Sequence, residues 1–305
     1  MTLEPCSHYG RTPPCTEAII EAKLSRVVVG SDDPNPLVAG RGIQRLRAAG
    51  IRVETGFLKE ECDELNSIFF HYITTGMPYV IMKYAMTADG KIATAKGLSK
   101  WITGEKSRER VHQTRKRVAA IMAGIETVLR DNPMLNCRVE HPSHPVRIVC
   151  DSKLRIPKDC ALVQTSAEIP TYVAATEESL DIPENSEKAA LLREKRVGIL
   201  KTRSREGRVD MKHLMELLGE MKLDSLLLEG GGELNFSALQ QGIVSRLEVY
   251  LAPKIFGGRE AKSPVGGSGA EEPKDAFRLS KPRVTEIGGD ILLEYDVLKE
   301  KEEGA

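Results

Sequence analysis

Two cysteines near the start of the chain are the first residues whose type and spacing suggest chemistry. Cys6 and Cys15 are separated by eight residues, and Cys15 stands just before residues 17–23, which are predicted to form a helix. The N-terminus of a helix lowers the pKa of a nearby thiol, and zinc prefers thiolate ligands. The spacing is longer than the common Cys-x2-Cys, so two buried thiols beside a proline-rich turn are the alternative. His8 is a weaker candidate for a further ligand, because its spacing to Cys6 is short.

A glycine triplet is the second chemical feature. Gly230, Gly231 and Gly232 follow a buried strand predicted at residues 225–228 and precede a predicted helix start at residues 234–237. Glycines at such a turn let the backbone approach a pyrophosphate, and the helix N-terminus supplies amide donors. The triplet is not the G-x-G-x-x-G of a dinucleotide-binding domain, so an ordinary turn is the alternative.

The elements that must position the cysteines are predicted in the first quarter of the chain. Thr16 is predicted to cap the first helix, strands follow at residues 26–30 and 51–55, and a short helix covers residues 42–50. A longer helix is expected to carry one apolar stripe, consisting of Leu58, Cys62, Leu65, Phe69 and Tyr72. Residues 74–78 break this pattern, so we place a domain boundary there and predict domains at 1–77 and 78–300.

The remainder of the chain alternates between strands and helices. Strands are predicted at residues 80–86, 118–124, 146–151, 171–175, 197–200 and 225–228, and helices at 106–117 and 211–221. Two further strands, 246–253 and 290–297, have no helix between them. This order predicts an α/β fold with a mostly parallel sheet that ends in antiparallel C-terminal strands.

Composition limits the function classes. The 305 residues suffice for two domains, since one core rarely exceeds about 250–300 residues. Lys+Arg and Asp+Glu number 44 each, so no net field favours nucleic acid or an acidic membrane surface. No apolar run approaches the roughly 20 residues of a membrane span. The first residues do not have the pattern of a signal peptide, and six cysteines suit a reducing compartment. We therefore expect a cytoplasmic protein without a nucleic-acid or membrane partner. We also expect a homo-oligomer, although composition does not bear on that expectation.

Six motifs in order identify a family. They read LEPCSHYGRTPPCT from residue 3, DPNP from residue 33 with AGRGI from residue 39, KYAMTADGKI from residue 83, SKWITG from residue 99, TVLRDNPMLNCR from residue 127, and LEGGGEL from residue 228. Together they resemble the bifunctional riboflavin-biosynthesis deaminase/reductase family over residues 1–298. The eight-residue gap between the cysteines is the normal form in that family.

For residues 1–77 the resemblance implies part of a cytidine-deaminase-like domain. Cys6 and Cys15 correspond to two of three Zn²⁺ ligands. The third ligand, a histidine, and the catalytic glutamate two residues after it would lie upstream of Met1. We therefore expect this half to be inactive in this chain. The alternatives are a bifunctional natural protein whose start is misassigned, and a non-catalytic partner of a separate deaminase.

For residues 78–300 the resemblance implies a dihydrofolate-reductase-like fold that binds NADPH. Its implied cofactor-binding residues are Ala85, Trp101, Thr127, Asp131, Gly231, Gly232, Glu233, Leu234, Asn235, Phe236 and Ser237. The implied substrate is 5-amino-6-(5-phospho-D-ribosylamino)uracil, a phosphorylated pyrimidine that is reduced to its ribitylamino product.

The substrate-binding residues implied by the resemblance are Ser99, Arg115, Leu135, Arg138 and Glu229, with the two arginines on the phosphate side. Lys83, Asp131 and Glu229 are the implied catalytic residues, with structural ion pairs as the alternative. Arg108, Arg110 and Arg117 lie on the same predicted helix as Arg115, and we expect them to be solvated.

Overall fold

The chain divides into two compact units, Met1–Tyr79 and Val80–Ala305. In the computed structural model the described residues are 1–10, 12–36 and 38–298. Residues 299 and 300, the end of the predicted second domain, lie outside the described residues, as does Arg11 in the first motif. The division between the units falls two residues after the predicted boundary.

The first unit contains four helices and a small parallel sheet in its described part. The helices are α1 (Cys15–Glu21), α2 (Arg41–Ala48), α3 (Lys59–Leu65) and α4 (Ser67–Thr75), and the strands are β1 (Arg26–Val29) and β2 (Arg52–Thr55). Valines of both strands pack on one face of α2, where Ile43 and Leu46 are buried. Residues 1–4 run alongside the end of β1, where Leu3 pairs with Ser31 in a parallel bridge.

Two predictions about these helices are wrong. Thr16 does not cap α1, because the helix already begins at Cys15, and the Thr16 hydroxyl is buried without a partner in the described part. The predicted long helix is two helices. Asn66 ends α3 by donating from its side-chain amide to the carbonyl of Cys62 at 2.7 Å, which competes with helix continuation. The apolar stripe consequently fails, and Leu65 is 71% exposed.

A nine-stranded sheet forms the second unit. Its strands are β3 (Tyr79–Thr87), β4 (Ala120–Gly124), β5 (Val146–Cys150), β6 (Thr171–Thr176), β7 (Val197–Thr202), β10 (Ser225–Leu228), β11 (Val244–Ala252), β12 (Arg283–Ile287) and β13 (Asp290–Asp296). They lie in the order β12-β13-β11-β3-β10-β4-β5-β6-β7. Two short strands, β8 (Ser204–Arg205) and β9 (Arg208–Val209), pair separately as a hairpin.

The described part of the second unit contains seven α-helices. They are α5 (Glu105–Arg117), α6 (Ile125–Asp131), α7 (Ala161–Gln164), α8 (Glu177–Leu180), α9 (Pro183–Glu194), α10 (Met211–Glu220) and α11 (Gly232–Gln240). The middle strands are apolar and buried over almost their full lengths, as in β10, because helices cover a parallel sheet on both faces. No helix in the described ranges is long and apolar enough to cross a membrane.

The predicted fold class is confirmed. Strand pairs from β4 to β7 are parallel, as are β3 with β11 and β4 with β10, while β13 pairs antiparallel with β11 and β12. Several elements of this unit were not predicted from the sequence, namely helices α6, α7, α8 and α9 and strands β8, β9 and β12. All residues of β12 except Ile287 are exposed, so the strand lacks the apolar alternation by which strands are recognised.

Candidate functional site

The cysteine segment of the first unit is held by a buried carboxylate. Glu4 is 4% exposed, and its oxygens accept the backbone N–H groups of Gly40, Gly42 and Ile43 at 2.9, 3.1 and 3.3 Å. These amides lie at the start of α2, where a helix favours negative charge. A Cβ atom at Gly42 would lie 1.8 Å from the carbonyl oxygen of Pro5, so only glycine permits this approach. The motif that begins at residue 3 and the motif that begins at residue 39 are therefore in direct contact.

Cys6 and Cys15 lie side by side. The backbone N–H of Cys15 donates to the Sγ atom of Cys6 at 3.3 Å. The hydrogen bond between the two side chains raises the pKa of Cys15, and desolvation adds to the increase. The direction is therefore opposite to the decrease expected from the helix N-terminus, and its largest cause is the hydrogen bond to Cys6.

A zinc centre needs more donors than this pair. Structural zinc sites are four-coordinate, and catalytic sites keep three protein ligands. Within the described residues, no group of three or more His, Cys, Asp or Glu side chains is arranged to hold a metal ion, and His8 is exposed. The described donors therefore do not by themselves fit a complete zinc centre. Zinc binding by Cys6 and Cys15 stays a prediction.

In the second unit, a charged pair forms where β10 ends. Glu229 follows the last residue of β10, and Arg115 lies in the last turn of α5. The Nε and Nη2 atoms of Arg115 donate to the two carboxylate oxygens of Glu229, both at 2.8 Å. Their side chains are only 13% and 16% exposed. Such a bidentate arrangement fixes both groups.

The electrostatics of this pair stabilise its ionised form. Desolvation alone would raise the pKa of Glu229, but the charges of Arg115 and Lys83 outweigh it and lower the pKa to about 2. Desolvation likewise opposes the charge of Arg115, yet Glu229 raises its pKa. The pair is therefore fully charged at neutral pH.

Lys83 completes this group. It lies in β3 directly across from Glu248 of β11, and its Nζ atom is 5.5 Å from the centre of the Tyr250 ring. Burial lowers the pKa of Lys83, while the charge of Glu229 opposes the decrease. Burial also raises the pKa of Glu248. We call Lys83, Arg115 and Glu229 the charged cluster.

Asp131 is placed differently from the charged cluster. It is the last residue of α6, and no side-chain hydrogen bond or ion pair within the described ranges joins it to Lys83 or Glu229. Thr127 lies one turn earlier on the same helix. Thr127 and Asp131 thus both lie on α6, which carries no member of the charged cluster. Their roles in cofactor binding and catalysis stay predictions.

Residues 134–138, which we call the 134–138 segment, are held by side chains instead of a helix or strand. Leu135 is buried and has a positive φ of 45°. On one side of it, the carbonyl oxygen of Met134 accepts from Arg147 at 3.2 Å. On the other, the carbonyl oxygen of Asn136 accepts from Arg115 at 2.9 Å. The same arginine thus orients both Glu229 and this segment.

Two histidines accept hydrogen bonds from the backbone N–H groups of the last two residues of this segment. The N–H of Cys137 donates to Nδ1 of His144 at 3.3 Å, and the N–H of Arg138 donates to Nδ1 of His112 at 3.2 Å. The guanidinium of Arg138 also lies against His112, with Nε 3.2 Å from the ring Nε2 atom. Desolvation and the charges of Arg115 and Arg138 lower the pKa of His112 to about 4, so the imidazole is neutral at physiological pH.

The three glycines after β10 have different surroundings. A Cβ atom at Gly230 would lie 2.5 Å from Oδ1 of Asn235, and one at Gly232 would lie 3.0 Å from the backbone nitrogen of Gly266. A Cβ atom at Gly231 would meet nothing within 4 Å. Two glycines therefore serve packing, and Gly231 is the one whose backbone is open to a ligand beside the start of α11.

A second glycine-containing segment, residues 263–269, packs against that helix start. Oε1 of Glu233 accepts the N–H of Gly267 at 3.0 Å, and this hydrogen bond lowers the pKa of Glu233. The side-chain amide of Asn235 donates to the carbonyl of Pro264 at 2.8 Å, while its Oδ1 atom is buried without a partner in the described part. The first turn of α11 is thus anchored by side chains, which leaves its backbone amides for a ligand.

The other predicted cofactor-binding residues on α11 also have structural contacts. The Leu234 side chain packs near Gly124. The centres of the Phe236 and Phe277 rings are 6.1 Å apart. The Ser237 hydroxyl accepts a hydrogen bond from the side-chain amide of Gln241 at 3.2 Å.

Trp101 lies on the surface of the second unit. Its side chain is 60% exposed, and the Arg108 guanidinium stacks 4.7 Å from its ring centre. Arg108 also donates to the carbonyl of Thr103 at 2.8 Å, so the prediction that this arginine is simply solvated is wrong. Arg110 and Arg117 are exposed, as predicted. Ala85 and Ser99 are half-buried, and Ala85 packs against the small core of Val111, Tyr250 and Leu292.

Comparison with known proteins decides the family. A family model described as the RibD C-terminal domain matches residues 78–293. The riboflavin biosynthesis protein RibD of Actinobacillus pleuropneumoniae is 56% identical over 298 residues, which cover 98% of this chain and 78% of that protein. The chain belongs to the RibD family.

Solved structures of RibD proteins agree with this assignment. Form 1 of Acinetobacter baumannii RibD has a TM-score of 0.81 and 34% identity, covering 97% of this chain and 80% of that one. A Thermotoga maritima protein, named as a diaminohydroxyphosphoribosylaminopyrimidine deaminase/5-amino-6-(5-phosphoribosylamino)uracil reductase, has a TM-score of 0.75 and 33% identity, covering 97% and 78%.

Two buried charged residues of this RibD chain were missed by the sequence analysis. Arg147 in β5 is fully buried and donates to five oxygens, those of Met134, Leu162, Thr165, Ile169 and Thr171. Asp290 is 4% exposed and accepts from the N–H of Gly104 and the hydroxyl of Ser107 at 2.7 and 2.6 Å. The signal for Arg147 was a charged residue inside an apolar strand. Asp290 was predicted only as the first residue of a strand, with no sign of its partners on α5.

Proposed function

We propose that this RibD chain reduces 5-amino-6-(5-phospho-D-ribosylamino)uracil to the ribitylamino product with NADPH. The observation that carries the proposal is the charged cluster: a lysine with a lowered pKa beside a carboxylate that an arginine holds fully ionised. Membership of the RibD family supports the reaction, because the matched RibD C-terminal domain spans the cluster.

The cluster suits proton movement during a reduction. Bound NADPH supplies the hydride, and the reduced sugar needs a proton at oxygen or nitrogen. A half-buried lysine whose pKa is lowered releases a proton more readily than an exposed one. Glu229 keeps its charge and accepts hydrogen bonds from sugar hydroxyls, while Arg115 fixes its orientation. Lys83 is accordingly the proposed proton donor.

The phosphate of the substrate is proposed to lie beside Arg138. Arg115 is committed to Glu229 and to the carbonyl of Asn136. The guanidinium of Arg138, by contrast, forms no ion pair with a carboxylate within residues 1–10, 12–36 and 38–298. An arginine without an anionic partner, held at the end of an ordered segment, suits a phosphate monoester. Ser99 and the backbone at Leu135 are the proposed neighbours.

The residues beside α11 fit NADPH. Gly231 leaves its backbone accessible, and the first turn of α11 offers amide donors for a pyrophosphate. The exposed Trp101 ring, with Arg108 stacked on it, offers the cofactor an aromatic and cationic surface. Trp101 is two residues after Ser99 in the sequence. We include Thr127 and Asp131 in the cofactor site on the resemblance alone. A homo-oligomer also belongs to this proposal, and light scattering during size-exclusion chromatography tests it.

The test of the reductase is oxidation of NADPH by the purified 305-residue chain with the deaminated substrate. We expect loss of NADPH absorbance together with formation of the ribitylamino product. Glu229→Gln is the matched variant, because it keeps the shape and removes the charge. Absence of product with the wild-type chain, at any substrate concentration up to saturation, contradicts the proposal.

Deamination is the second candidate function, because Cys6 and Cys15 lie within hydrogen-bonding distance and the matched Thermotoga maritima protein is named for both activities. Ammonia release from the diaminopyrimidine precursor, assayed with and without Zn²⁺, distinguishes a reductase from a bifunctional enzyme. Thermal unfolding with and without NADPH tests the non-catalytic alternative, because a ligand that binds the folded state raises the unfolding temperature.

A further inference from the structure

His112 occupies a position that the proposed function does not explain. It lies on α5 three residues before Arg115, so both side chains emerge from the same helix face. His112 is 9% exposed, and its imidazole lies against the guanidinium of Arg138, where the phosphate is proposed to bind. The inference below rests on that proposed phosphate position.

Hydrogen-bond donors approach both nitrogens of the imidazole. The backbone N–H of Arg138 points at Nδ1 at 3.2 Å. The Nε and Nη2 atoms of the same arginine lie 3.2 and 3.1 Å from Nε2. A neutral imidazole has one acceptor and one donor nitrogen, so it satisfies only one of these approaches. Protonation would make both nitrogens donors and worsen the arrangement.

The backbone decides between the two tautomers. The N–H of Arg138 is fixed by the 134–138 segment, which Arg115, Arg147 and His144 also hold. The Arg138 side chain, in contrast, is exposed and can rotate away. The stable arrangement therefore has Nδ1 as the acceptor and the proton on Nε2. In that tautomer the Nε2–H group of His112 faces the N–H groups of the Arg138 guanidinium, so two donors point at each other. No group within the described ranges accepts a hydrogen bond from both.

We propose that His112 is a substrate-binding residue of the phosphate site, with its Nε2–H group and the Arg138 guanidinium donating to the phosphate monoester. A phosphate oxygen placed between them accepts from both and removes the donor-to-donor contact. The neutral histidine adds directional recognition without adding charge. The site thereby distinguishes a phosphorylated substrate from its dephosphorylated form.

The first experiment compares two variants on two substrates. An asparagine amide reaches the position of Nδ1, so His112→Asn keeps the acceptor for the Arg138 N–H and removes the Nε2–H donor. A glutamine amide reaches the position of Nε2, so His112→Gln keeps the donor. Because His112→Asn removes a hydrogen bond to the charged phosphate, we expect it to lower kcat/KM for the phosphorylated substrate about 10- to 100-fold, mainly by raising KM. With the dephosphorylated substrate the expected change is less than about threefold.

The matched control is His213→Asn. His213 also accepts a backbone N–H at Nδ1, from Arg203 at 3.0 Å, but lies on α10. We expect it to leave the ratio of the two kcat/KM values unchanged, and His112→Gln to restore most of that ratio. Equal losses by His112→Asn on both substrates would assign His112 a structural role and overturn the proposal. Unchanged values on both would overturn it as well.

The second experiment needs no variant and no turnover. In ¹⁵N-histidine NMR of the wild-type chain, we expect the His112 signals of the Nε2–H tautomer, and a shift of Nε2 when inorganic phosphate is added. The Nδ1–H tautomer, or no response to saturating phosphate, contradicts the proposal. If the wild-type chain oxidises no NADPH, the reductase function fails, while this titration still tests the anion site by itself.

Discussion

The two units present potentially reactive side chains in opposite ways. In the first unit, Glu4 anchors the cysteine segment to α2, but Cys6 and Cys15 contact only each other as potential metal donors, and the described residues add no third donor. In the second, every member of the charged cluster has a partner from a different element, so α5, β3 and the end of β10 converge. Both units contain recognisable sequence motifs. Which motif residues act together is known only where the structure brings their helices and strands into contact.

Breaking the ion pair is the strongest test of that contrast. Arg115→Met leaves the Glu229 carboxylate without its partner at a site where both side chains are less than one-fifth exposed. Losing one partner of a buried pair costs about 3–5 kcal/mol, so we expect a decrease of that size in the free energy of unfolding by urea. The double variant Arg115→Met with Glu229→Leu should recover more than half of the loss. A cost below about 1 kcal/mol would show that the pair is solvated like a surface salt bridge.

The glycine triplet gives a paired test within the second unit. Gly232→Ala places a Cβ atom 3.0 Å from the backbone of Gly266, and overpacking of this kind costs about 1–3 kcal/mol of folding stability. Gly231→Ala meets no atom within 4 Å and should leave stability unchanged while it weakens NADPH binding about tenfold. Calorimetric NADPH binding and thermal unfolding measure the two effects. Equal destabilisation by both variants would contradict the assignment of separate roles.

The pH dependence of stability sharpens the contribution of His112. Its pKa falls from 6.5 in the unfolded chain to about 4 in the folded protein. Between these values the unfolded state binds more protons, so stability increases with pH and is complete above about 6.5. We expect the unfolding temperature of the wild-type chain to fall as the pH decreases from 6.5 to 4. His112→Asn should reduce this slope, most clearly between pH 6.5 and about 5.5, above the range in which carboxyl groups with a lowered pKa, such as Glu229, contribute. A slope in that interval equal to that of the wild type would place the titration elsewhere.

The smallest expected effect is in the first unit. Because the pKa of Cys15 is raised by its hydrogen bond to Cys6, the thiol is protonated at neutral pH. Alkylation of Cys15 by iodoacetamide, followed by peptide mass spectrometry, should be slow at pH 7 and accelerate above about pH 9. Cys6→Ser should increase the rate at pH 8. Rapid alkylation at pH 7 would mean that the helix N-terminus dominates, as the sequence first suggested.

Local sequence predicted most of the fold but little of the site geometry. The strands of the parallel sheet were predicted because each is a continuous apolar run, as Leu226–Leu228 illustrate. The α3–α4 break was missed because a single side-chain hydrogen bond from Asn66 decides it. The resemblance brought Lys83, Arg115 and Glu229 into one list, but the pairing of Arg115 with Glu229 depends on an approach across 114 positions that no local pattern encodes.

Asp290 ties the helix that carries His112 and Arg115 to the last strand of the sheet. Its carboxylate holds the start of α5 across 186 positions of sequence. During synthesis the helix emerges long before β13, so its first turn lacks this acceptor until Asp290 has been added to the chain. Contacts this distant in sequence form late, since the loop between them must first close. A chain that lacks β13 therefore contains the proposed substrate-binding residues without their final orientation, and we expect binding competence to arise only after β13 has been made.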